Sequence, residues 1–492
     1  MGIGKWSLKI LVRFLIEYES DKEKKMIYKN DKVSNIKITY IGGGSREWAR
    51  SFMGDLALDP QLSGEVMLYD IDYEAAKLNA IIGNKISAGK WEYDAIRTLE
   101  EALIGADFIV ISILPGTFDE MESDVHLPER LGIYQAVGDS VGPGGIIRSL
   151  RTVPIFVEFA EKIRKFAPNA WVINYTNPMS ICLRTLSYVF PEIKAFGCCH
   201  EIFGTQEVLK IIAEKELGLT GLKREDIKVN VLGINHFTWL DYASYKGVDL
   251  IPVYRDFIRK NFDQGLVTGK NLRASVFDCL HLVKFDLFRK YGYIAAAGDR
   301  HLAEFLPVDE YLQSPEHVES WGFGLTPVSW RKLELLEKEA KTKRLATGAE
   351  DYVVTHSGEE GVLLIKALCG LGQKISNVNI PNTAGQISNL PTDAIVETNA
   401  LFERDTIRPI VAGAIPENIL ALTMPHIKNH ERILEGALTC NKELIIDTFM
   451  NDPLTKGKAT IKEIRMLVDD MIRNTLGYLP DGWKEQVYVK SP

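Results

Sequence analysis

The feature that most constrains this chain is a strand, a glycine turn and a helix in direct succession. Apolar residues alternate over residues 36–41, which predicts a β-strand. The sequence Gly-Gly-Gly-Ser then breaks the strand at 42–45, and apolar residues recur at every fourth position from 48 to 56, as on one face of a helix. Such a turn lets a backbone approach a phosphate, to which the helix N-terminus presents unpaired N–H groups.

A second apolar run, residues 66–69, ends in Asp70. That spacing is close to the ~20 residues after which a dinucleotide-binding fold places its ribose-binding carboxylate, and a carboxylate there favours NAD over NADP. By itself the turn is equally compatible with an ordinary strand-to-helix connection, because Glu47 stands where a third glycine is usual. Together the two features predict these cofactor-binding residues: Gly42, Gly43, Gly44, Ser45 and Asp70.

The rest of the chain predicts two units behind a short N-terminal extension. Short β-type runs at 108–113, 171–173 and 194–197 are mostly separated by helical patterns, as in a doubly wound, Rossmann-like parallel sheet. After residue 232 the strands become rarer and helical patterns prevail. We therefore expect an α/β protein with three parts: an extension (1–35), an NAD-binding domain (36–232) and a mixed, helix-rich α+β domain for substrate and oligomerisation (233–492).

Charge and cysteine content narrow the class of protein. The chain carries 58 Lys and Arg against 66 Asp and Glu, a net charge of -8, which argues against nucleic-acid or anionic-membrane partners. Its best apolar stretch, residues 108–114, is far shorter than the roughly 20 residues of a membrane span. The first 20 residues lack a secretory signal pattern, and the six cysteines show no paired spacing. We expect a cytoplasmic protein.

Two polar loops are candidates for binding a ligand. Asp139 lies in a glycine-rich loop that is followed by Arg148 and Arg151, which either clamp an anion or pair with protein carboxylates. Asn174 and Asn177 follow a predicted strand, at the edge where open α/β sheets bind ligands. Carboxamides suit sugar hydroxyls, although an Asn-Pro pair also marks an ordinary turn.

Cysteine and histidine residues end two further apolar segments. Cys198, Cys199 and His200 follow the strand predicted at 194–197, and His236 follows another apolar run. Their spacing is not that of a structural zinc site, so packing is the more common explanation for each alone. A thiolate and an imidazole at strand ends can nevertheless meet at one cleft.

Taken together, the motifs resemble those of glycoside hydrolase family 4, and in detail its α-galacturonidase branch. The resemblance runs in unbroken order from about residue 36 to beyond 454 and rests on these strings: GGGS, VGDSVGPGGIIRSLR, NYTNP, GCCHE, LGINHF, AAAGDRHLAEFLP, SNVNIPNTAGQISNLP and AIVETNA. It does not include the extension. One departure is a loop at 381–385 that is one residue longer than usual, which affects the expected contacts to the leaving group.

The resemblance implies chemistry that depends on NAD and a divalent metal, typically Mn²⁺, and that does not use the usual pair of carboxylates. In this scheme NAD⁺ takes a hydride from sugar C3, a base removes the C2 proton as the C1 substituent leaves, and the hydride returns after water adds. Cys199 and His236 match the metal ligands. His200 matches the leaving-group acid, and its alternative role is to support the metal ligands from behind. Asp299 matches the C2 base of one branch, whereas others use a tyrosine.

The resemblance also implies a substrate. Asp139 and Asn177 match its substrate-binding positions. The resemblance to this branch and the cationic Arg148, Arg300 and His301 predict a substrate carboxylate at C5, and the alternative for these three residues is binding of the NAD phosphates. Arginine suits a sugar carboxylate because its planar fork forms two hydrogen bonds to it. We therefore predict an exo-acting α-galacturonidase that hydrolyses short oligogalacturonides as a homodimer or homotetramer. The alternatives are an α-glucuronidase or α-glucosidase of the same family, a lactate- or malate-type dehydrogenase, and a nucleotide-sensing protein without catalysis.

Overall fold

The computed structural model describes residues 25–268 and 277–488. Its first seven strands are β1 (Ile27–Lys29), β2 (Lys32–Ile41), β3 (Leu62–Tyr69), β4 (Trp91–Ile96), β5 (Phe108–Ile111), β6 (Trp171–Asn174) and β7 (Lys194–Gly197). Strands β2 to β7 pair in parallel in the order β7-β6-β5-β2-β3-β4. The direction of winding reverses between β2 and β5, which is where such sheets bind ligands. The predicted doubly wound sheet is thus present.

Helices cover both faces of this sheet, because consecutive strand residues point to opposite sides. In β5, for example, Val110 packs with Phe52 in one core layer and Ile111 packs with Phe156 in the other. The helices are α1 (Trp48–Leu58), α2 (Tyr73–Ser87), α3 (Leu99–Leu103), α4 (Phe118–His126), α5 (Gly142–Phe166), α6 (Met179–Val189) and α7 (Glu201–Leu217).

The C-terminal half adds strands to the first sheet and builds a second, antiparallel one. Its strands are β8 (Lys228–Ile234), β9 (Phe237–Tyr245), β10 (Val248–Asp249), β11 (Ile294–Ala295), β12 (Lys374–Pro381), β13 (Ile395–Glu403) and β14 (Thr406–Pro409). Strands β8 to β11 form the second sheet, whereas β12 pairs antiparallel with β7 and continues the first sheet through β13 to β14. The two halves therefore share one mixed sheet.

Helices make up most of the remaining C-terminal half, as expected from the sequence. They are α8 (Leu250–Asn261), α9 (Leu282–Tyr291), α10 (Asp299–Glu304), α11 (Val308–Tyr311), α12 (Pro315–Ser320), α13 (Val328–Thr347), α14 (Gly361–Leu368), α15 (Glu417–Thr439), α16 (Lys442–Asn451), α17 (Ile461–Thr475) and α18 (Gly482–Tyr488). Among the residues described, none of the helices is both long and apolar enough to cross a membrane.

The predicted domain boundaries do not coincide with element ends. The boundary after residue 35 lies inside β2, because the exposed hairpin of β1 and β2 is too polar to show an apolar alternation. Residues 1–24 of the predicted extension lie outside the described residues. The boundary after residue 232 lies inside β8, whose buried end continues into β9.

Candidate active site

The glycine turn follows β2 at the carboxyl edge of the parallel sheet. Gly42 has φ +94°, and a Cβ atom there would lie 1.9 Å from the carbonyl oxygen of Ser112, in the loop after β5. Only glycine fits this position. Asn79 of α2 donates through Nδ2 to the carbonyl oxygens of Gly43 and Ser45, both at 2.8 Å. The turn is therefore fixed from both sides before any ligand binds.

Asp70 stands at the end of β3 beside this turn. Its Oδ2 accepts the N–H of Gly44 at 2.8 Å, and its Oδ1 accepts the N–H of Asp72 at 2.8 Å. Burial raises the pKa of Asp70, although these two backbone donors oppose the shift. A glycine turn, a following helix and a carboxylate at the next strand end fit the adenosine half of a dinucleotide.

We expect Asp70→Ala to weaken NAD binding by about tenfold or more, because it removes a charge-assisted hydrogen bond and releases the N–H of Gly44. Titration of NADH fluorescence measures this. Glu74→Ala is the control, since Glu74 is an exposed residue of the same region that pairs only with Lys77 in the described part of the chain. Unchanged NAD affinity in Asp70→Ala would contradict the assignment.

A carboxylate and two imidazoles form a compact, partly buried cluster at the same edge of the sheet. Ligand atoms of Asp139, His236 and His301 all lie within 4.8 Å of one another. The two imidazole rings are 3.8 Å apart between centroids. Ser140 Oγ donates to Asp139 Oδ1 at 2.8 Å and lies 2.9 Å from His236 Nδ1. Asn177 Nδ2 donates to Asp139 Oδ2 at 3.4 Å.

The charges in this cluster favour the ligand forms of its side chains. Burial alone would raise the pKa of Asp139, but His301, His236 and Arg148 outweigh it and hold this pKa well below its usual range. Burial and the neighbouring His301 lower the pKa of His236 to about 3. An ionised carboxylate beside a neutral imidazole is a donor set that suits a divalent cation such as Mn²⁺.

Cys199 lies beside this cluster but is not one of its three members. Burial, Glu397 and Glu201 raise the pKa of its thiol, which faces the Asn235 side chain next to His236. Glu201 connects the two regions, because it interacts with Cys199 and its Oε1 lies 3.8 Å from His301 Nε2. The roles of Cys199 and His236 as metal ligands remain predictions.

His200 lies at the N-terminus of α7, half-exposed, with its ring stacked on Trp48 at 6.0 Å between centroids. Its Nδ1 lies 2.9 Å from a carboxylate oxygen of Glu359. This hydrogen bond raises the pKa of His200 to about 9, although burial opposes the shift. His200 is thus a protonated imidazole near the surface, which is a suitable form for an acid.

Asp299 occupies a different environment. It is fully buried, and its carboxylate oxygens accept the N–H groups of Val283 and Lys284, both at 3.1 Å, at the N-terminus of α9. Its ligand atom lies within 4.8 Å of those of Cys279 and His281, not in the cluster of Asp139. Burial raises the pKa of Asp299 to about 6. Its role as the C2 base remains a prediction.

The two predicted substrate arginines both reach the loop region around Asp139. Arg148 Nε donates to the carbonyl oxygen of Asn177 at 3.0 Å, and Arg300 Nη2 donates to that of Ala136 at 2.6 Å. Arg151, by contrast, pairs with the buried Asp124. Of the two possibilities for the arginine pair, Arg151 therefore binds a protein carboxylate.

Several buried polar atoms at this site have no partner among the described residues. They are Asn177 Oδ1, Arg300 Nε and His301 Nδ1. Unpaired buried polar groups cost free energy and mark sites that a polar ligand or metal completes. The residues present therefore fit both a divalent metal and a hydroxyl-rich substrate.

Sequence reasoning missed three side chains that the structure places here. Ser140 and Glu201 are direct neighbours of predicted residues in the quoted motifs, so their positions were available from the sequence. Glu359 had no such signal, because it lies in an irregular segment before α14 and meets His200 only through the fold.

A Rossmann-like sheet that carries a fixed glycine turn and a partly buried carboxylate–imidazole cluster on one edge is the architecture of a dinucleotide-dependent enzyme. Comparison with known proteins narrows this class. The profile described as family 4 glycosyl hydrolase matches residues 37–214, and that of its C-terminal domain matches residues 231–455. The chain belongs to glycoside hydrolase family 4.

Individual relatives agree with this membership. An alpha-galacturonidase of Lachnoclostridium phytofermentans is 61% identical over 464 residues, which is 93% of this chain and all of the relative. The crystal structure of lplD from Bacillus subtilis is 52% identical, with a TM-score of 0.86 over 89% of this chain and 100% of that one.

A more distant structure shows the same fold. It is a 6-phospho-alpha-glucosidase from gut microorganisms in complex with NAD and Mn²⁺, 20% identical with a TM-score of 0.75 over 91% of this chain and 99% of that one. Proteins with this fold have thus been crystallised with both groups.

Proposed function

We propose that this protein is an exo-acting α-galacturonidase that hydrolyses short oligogalacturonides and requires NAD and a divalent metal, Mn²⁺ foremost. The identity of 61% over 93% of the chain with a protein named alpha-galacturonidase is the observation that carries the proposal. The arginines around Asp139 support it, because they supply positive charge where a uronide carries its carboxylate. The proposal also includes a cytoplasmic location and a homodimeric or homotetrameric state. Sedimentation velocity tests the oligomeric state.

In this proposal the cofactor groups are held at the carboxyl edge of the sheet. When bound, NAD⁺ exchanges a hydride with sugar C3, and the metal polarises the oxygens at C2 and C3. The turn at 42–45 and Asp70 hold the dinucleotide. His236 and Cys199 would hold the metal, and Asp139 would orient the sugar together with Asn177.

Two side chains move protons. His200, which Glu359 keeps protonated, donates to the leaving-group oxygen at C1. Asp299 takes the proton from C2, and its raised pKa makes it a stronger base than an ordinary aspartate. Elimination followed by addition of water yields free galacturonate with no net oxidation.

The proposal predicts that digalacturonate is cleaved only when NAD⁺, Mn²⁺ and a thiol reductant are present together. Removing either the cofactor or the metal should lower the rate by about a hundredfold or more, because each supplies several kcal/mol to the reaction. In D₂O, deuterium should appear at C2 of the product, as measured by NMR. Full cleavage after NAD and metal are stripped would contradict the proposal.

A substrate panel separates the proposal from its alternatives. Galacturonides should be cleaved faster than glucuronides, neutral α-glucosides and 6-phosphosugar glycosides under identical conditions. A glucuronide or glucoside preference would identify another specificity of the same family. Net accumulation of NADH would indicate a dehydrogenase, because the hydride would not return to the product.

A further inference from the structure

The region around Asp139 contains three arginines. Besides Arg148 and Arg300, it includes Arg331 from the first turn of α13. The charge of Asp139 acts on Arg331, and the charge of Arg331 acts on Arg300. Arg331 thus belongs to the same electrostatic unit, although it comes from a helix far along the chain.

Packing between aromatic rings fixes the position of this helix relative to Arg300. The guanidinium carbon of Arg300 lies 5.1 Å from the ring centroid of Phe277. The Phe277 ring in turn packs edge-on against Trp330, with 5.7 Å between centroids. Because Trp330 directly precedes Arg331, the start of α13 adjoins Arg300.

The guanidinium groups of Arg300 and Arg331 both keep a hydrogen-bond donor without an acceptor among the described residues. Arg331 Nε is buried without a hydrogen-bond partner, and Arg331 forms no ion pair within residues 25–268 and 277–488. Arg300 Nε is also buried and unpartnered there, and its Nη2 serves only a backbone carbonyl, that of Ala136. Buried donors without acceptors are costly, so two such donors on adjacent arginines indicate a missing anion.

The nearby carboxylates already have other partners. Glu201, whose charge also acts on Arg300, accepts the N–H of Gly298 and lies 3.8 Å from His301 Nε2. Glu304 Oε1 accepts the N–H groups of Val137 at 2.6 Å and Gly138 at 2.9 Å, so it is held by the loop before Asp139. Burial raises the pKa of Glu304 to about 8, which leaves it mostly neutral at pH 7. Asp139 is shared with Ser140 and with the imidazole cluster.

We infer that Arg331 acts with Arg300 as a specificity-determining pair that binds the C5 carboxylate of the terminal galacturonosyl residue. This inference rests on the proposed function, since it names the side chains that read the acidic group of that substrate. Two guanidiniums approaching from α10 and α13 offer the fork geometry that a planar carboxylate accepts and that a neutral hexose cannot use.

The test compares Arg331→Gln with wild-type holoenzyme. We expect KM for digalacturonate and Ki for galacturonate to rise about 10- to 100-fold, because the variant loses a charge-assisted hydrogen bond to the carboxylate. Ki for galactose should stay unchanged, because galactose has no carboxylate. Arg331→Lys keeps the positive charge but lacks the planar guanidinium, so its KM and Ki values should lie between those of wild type and Arg331→Gln. Arg344→Gln is the matched control on the same helix, because Arg344 pairs with Glu350 at the surface.

Direct calorimetric titration with galacturonate separates failure of this inference from failure of the proposed function. Arg331→Gln that binds galacturonate as tightly as wild type would overturn the inference, and so would an equal loss of galactose binding. A loss of NAD affinity would instead assign Arg331 to a cofactor phosphate and would also overturn it. Wild-type protein that binds galacturonate through Arg331 without hydrolysing digalacturonate would overturn only the proposed function.

Discussion

His236→Asn is expected to lower kcat for digalacturonate by about 10³-fold or more, because the metal contributes several kcal/mol of charge stabilisation. The same variant should lose Mn²⁺ binding and keep its affinity for NAD. His236 is 3% exposed, and its ligand nitrogen lies within 4.8 Å of ligand atoms of Asp139 and His301. Its lowered pKa means that a metal does not have to displace a proton from it.

Asparagine is the suitable replacement at this position for a conformational reason. His236 has φ +63°, in the left-handed region that asparagine tolerates better than most residues. Loss of Mn²⁺ binding therefore reports the missing imidazole and not a strained backbone. His356→Asn is the control, because that side chain is 81% exposed in the segment before α14.

Electron paramagnetic resonance of Mn²⁺ and fluorescence of NADH measure the two affinities separately. Even residues that only hydrogen-bond to a metal ligand typically change metal affinity by about 10- to 100-fold when they are mutated. A Mn²⁺ affinity of His236→Asn within about threefold of wild type would therefore contradict the prediction. Cys199→Ser and Asp139→Asn then distinguish two ligand sets. Loss of Mn²⁺ only in Cys199→Ser supports the thiolate ligand, whereas loss only in Asp139→Asn places the metal on the carboxylate and the imidazoles.

Asp124→Ala is expected to lower the free energy of unfolding by about 3–5 kcal/mol, because it leaves the charge of Arg151 buried without a partner. Both side chains are 1% exposed, and the pair is bidentate. Arg151 also donates to the carbonyl oxygen of Pro115 and to Thr475 of α17. One ion pair thereby joins α4, α5 and α17 to the loop after β5.

Thermal unfolding followed by circular dichroism measures this effect. Asp124→Asn keeps the shape of the side chain but not its charge, so its Tm should fall between those of wild type and Asp124→Ala. Asp481→Ala removes an exposed ion pair with Lys484 and should leave the Tm unchanged. A Tm of Asp124→Ala equal to that of wild type would show that the buried pair contributes little.

The outcomes at Arg148 and Arg151 show how far local patterns reach. Both lie on α5, one helical turn apart, and the sequence offered an anion clamp and a protein ion pair for both. Arg148 contacts the Asn177 loop, whereas Arg151 pairs with Asp124 of α4. The choice depends on which helices surround α5, and no spacing along the chain contains that information.

The sequence by itself determined the first βα unit and the positions of five of the six parallel strands along the chain, because alternating apolar residues, a glycine turn and the carboxylate at Asp70 are all local signals. It did not contain the order of these strands in the sheet. It also identified the segments that carry Asp139, Cys199 and His236. Only the tertiary structure decided what surrounds them. Glu359 contacts His200 although more than a hundred residues separate them in the sequence. Arg331 lies near Arg300 across about thirty residues of sequence. Such contacts arise from the packing of whole helices and segments, whose energies come from shape and burial over long sequence separations.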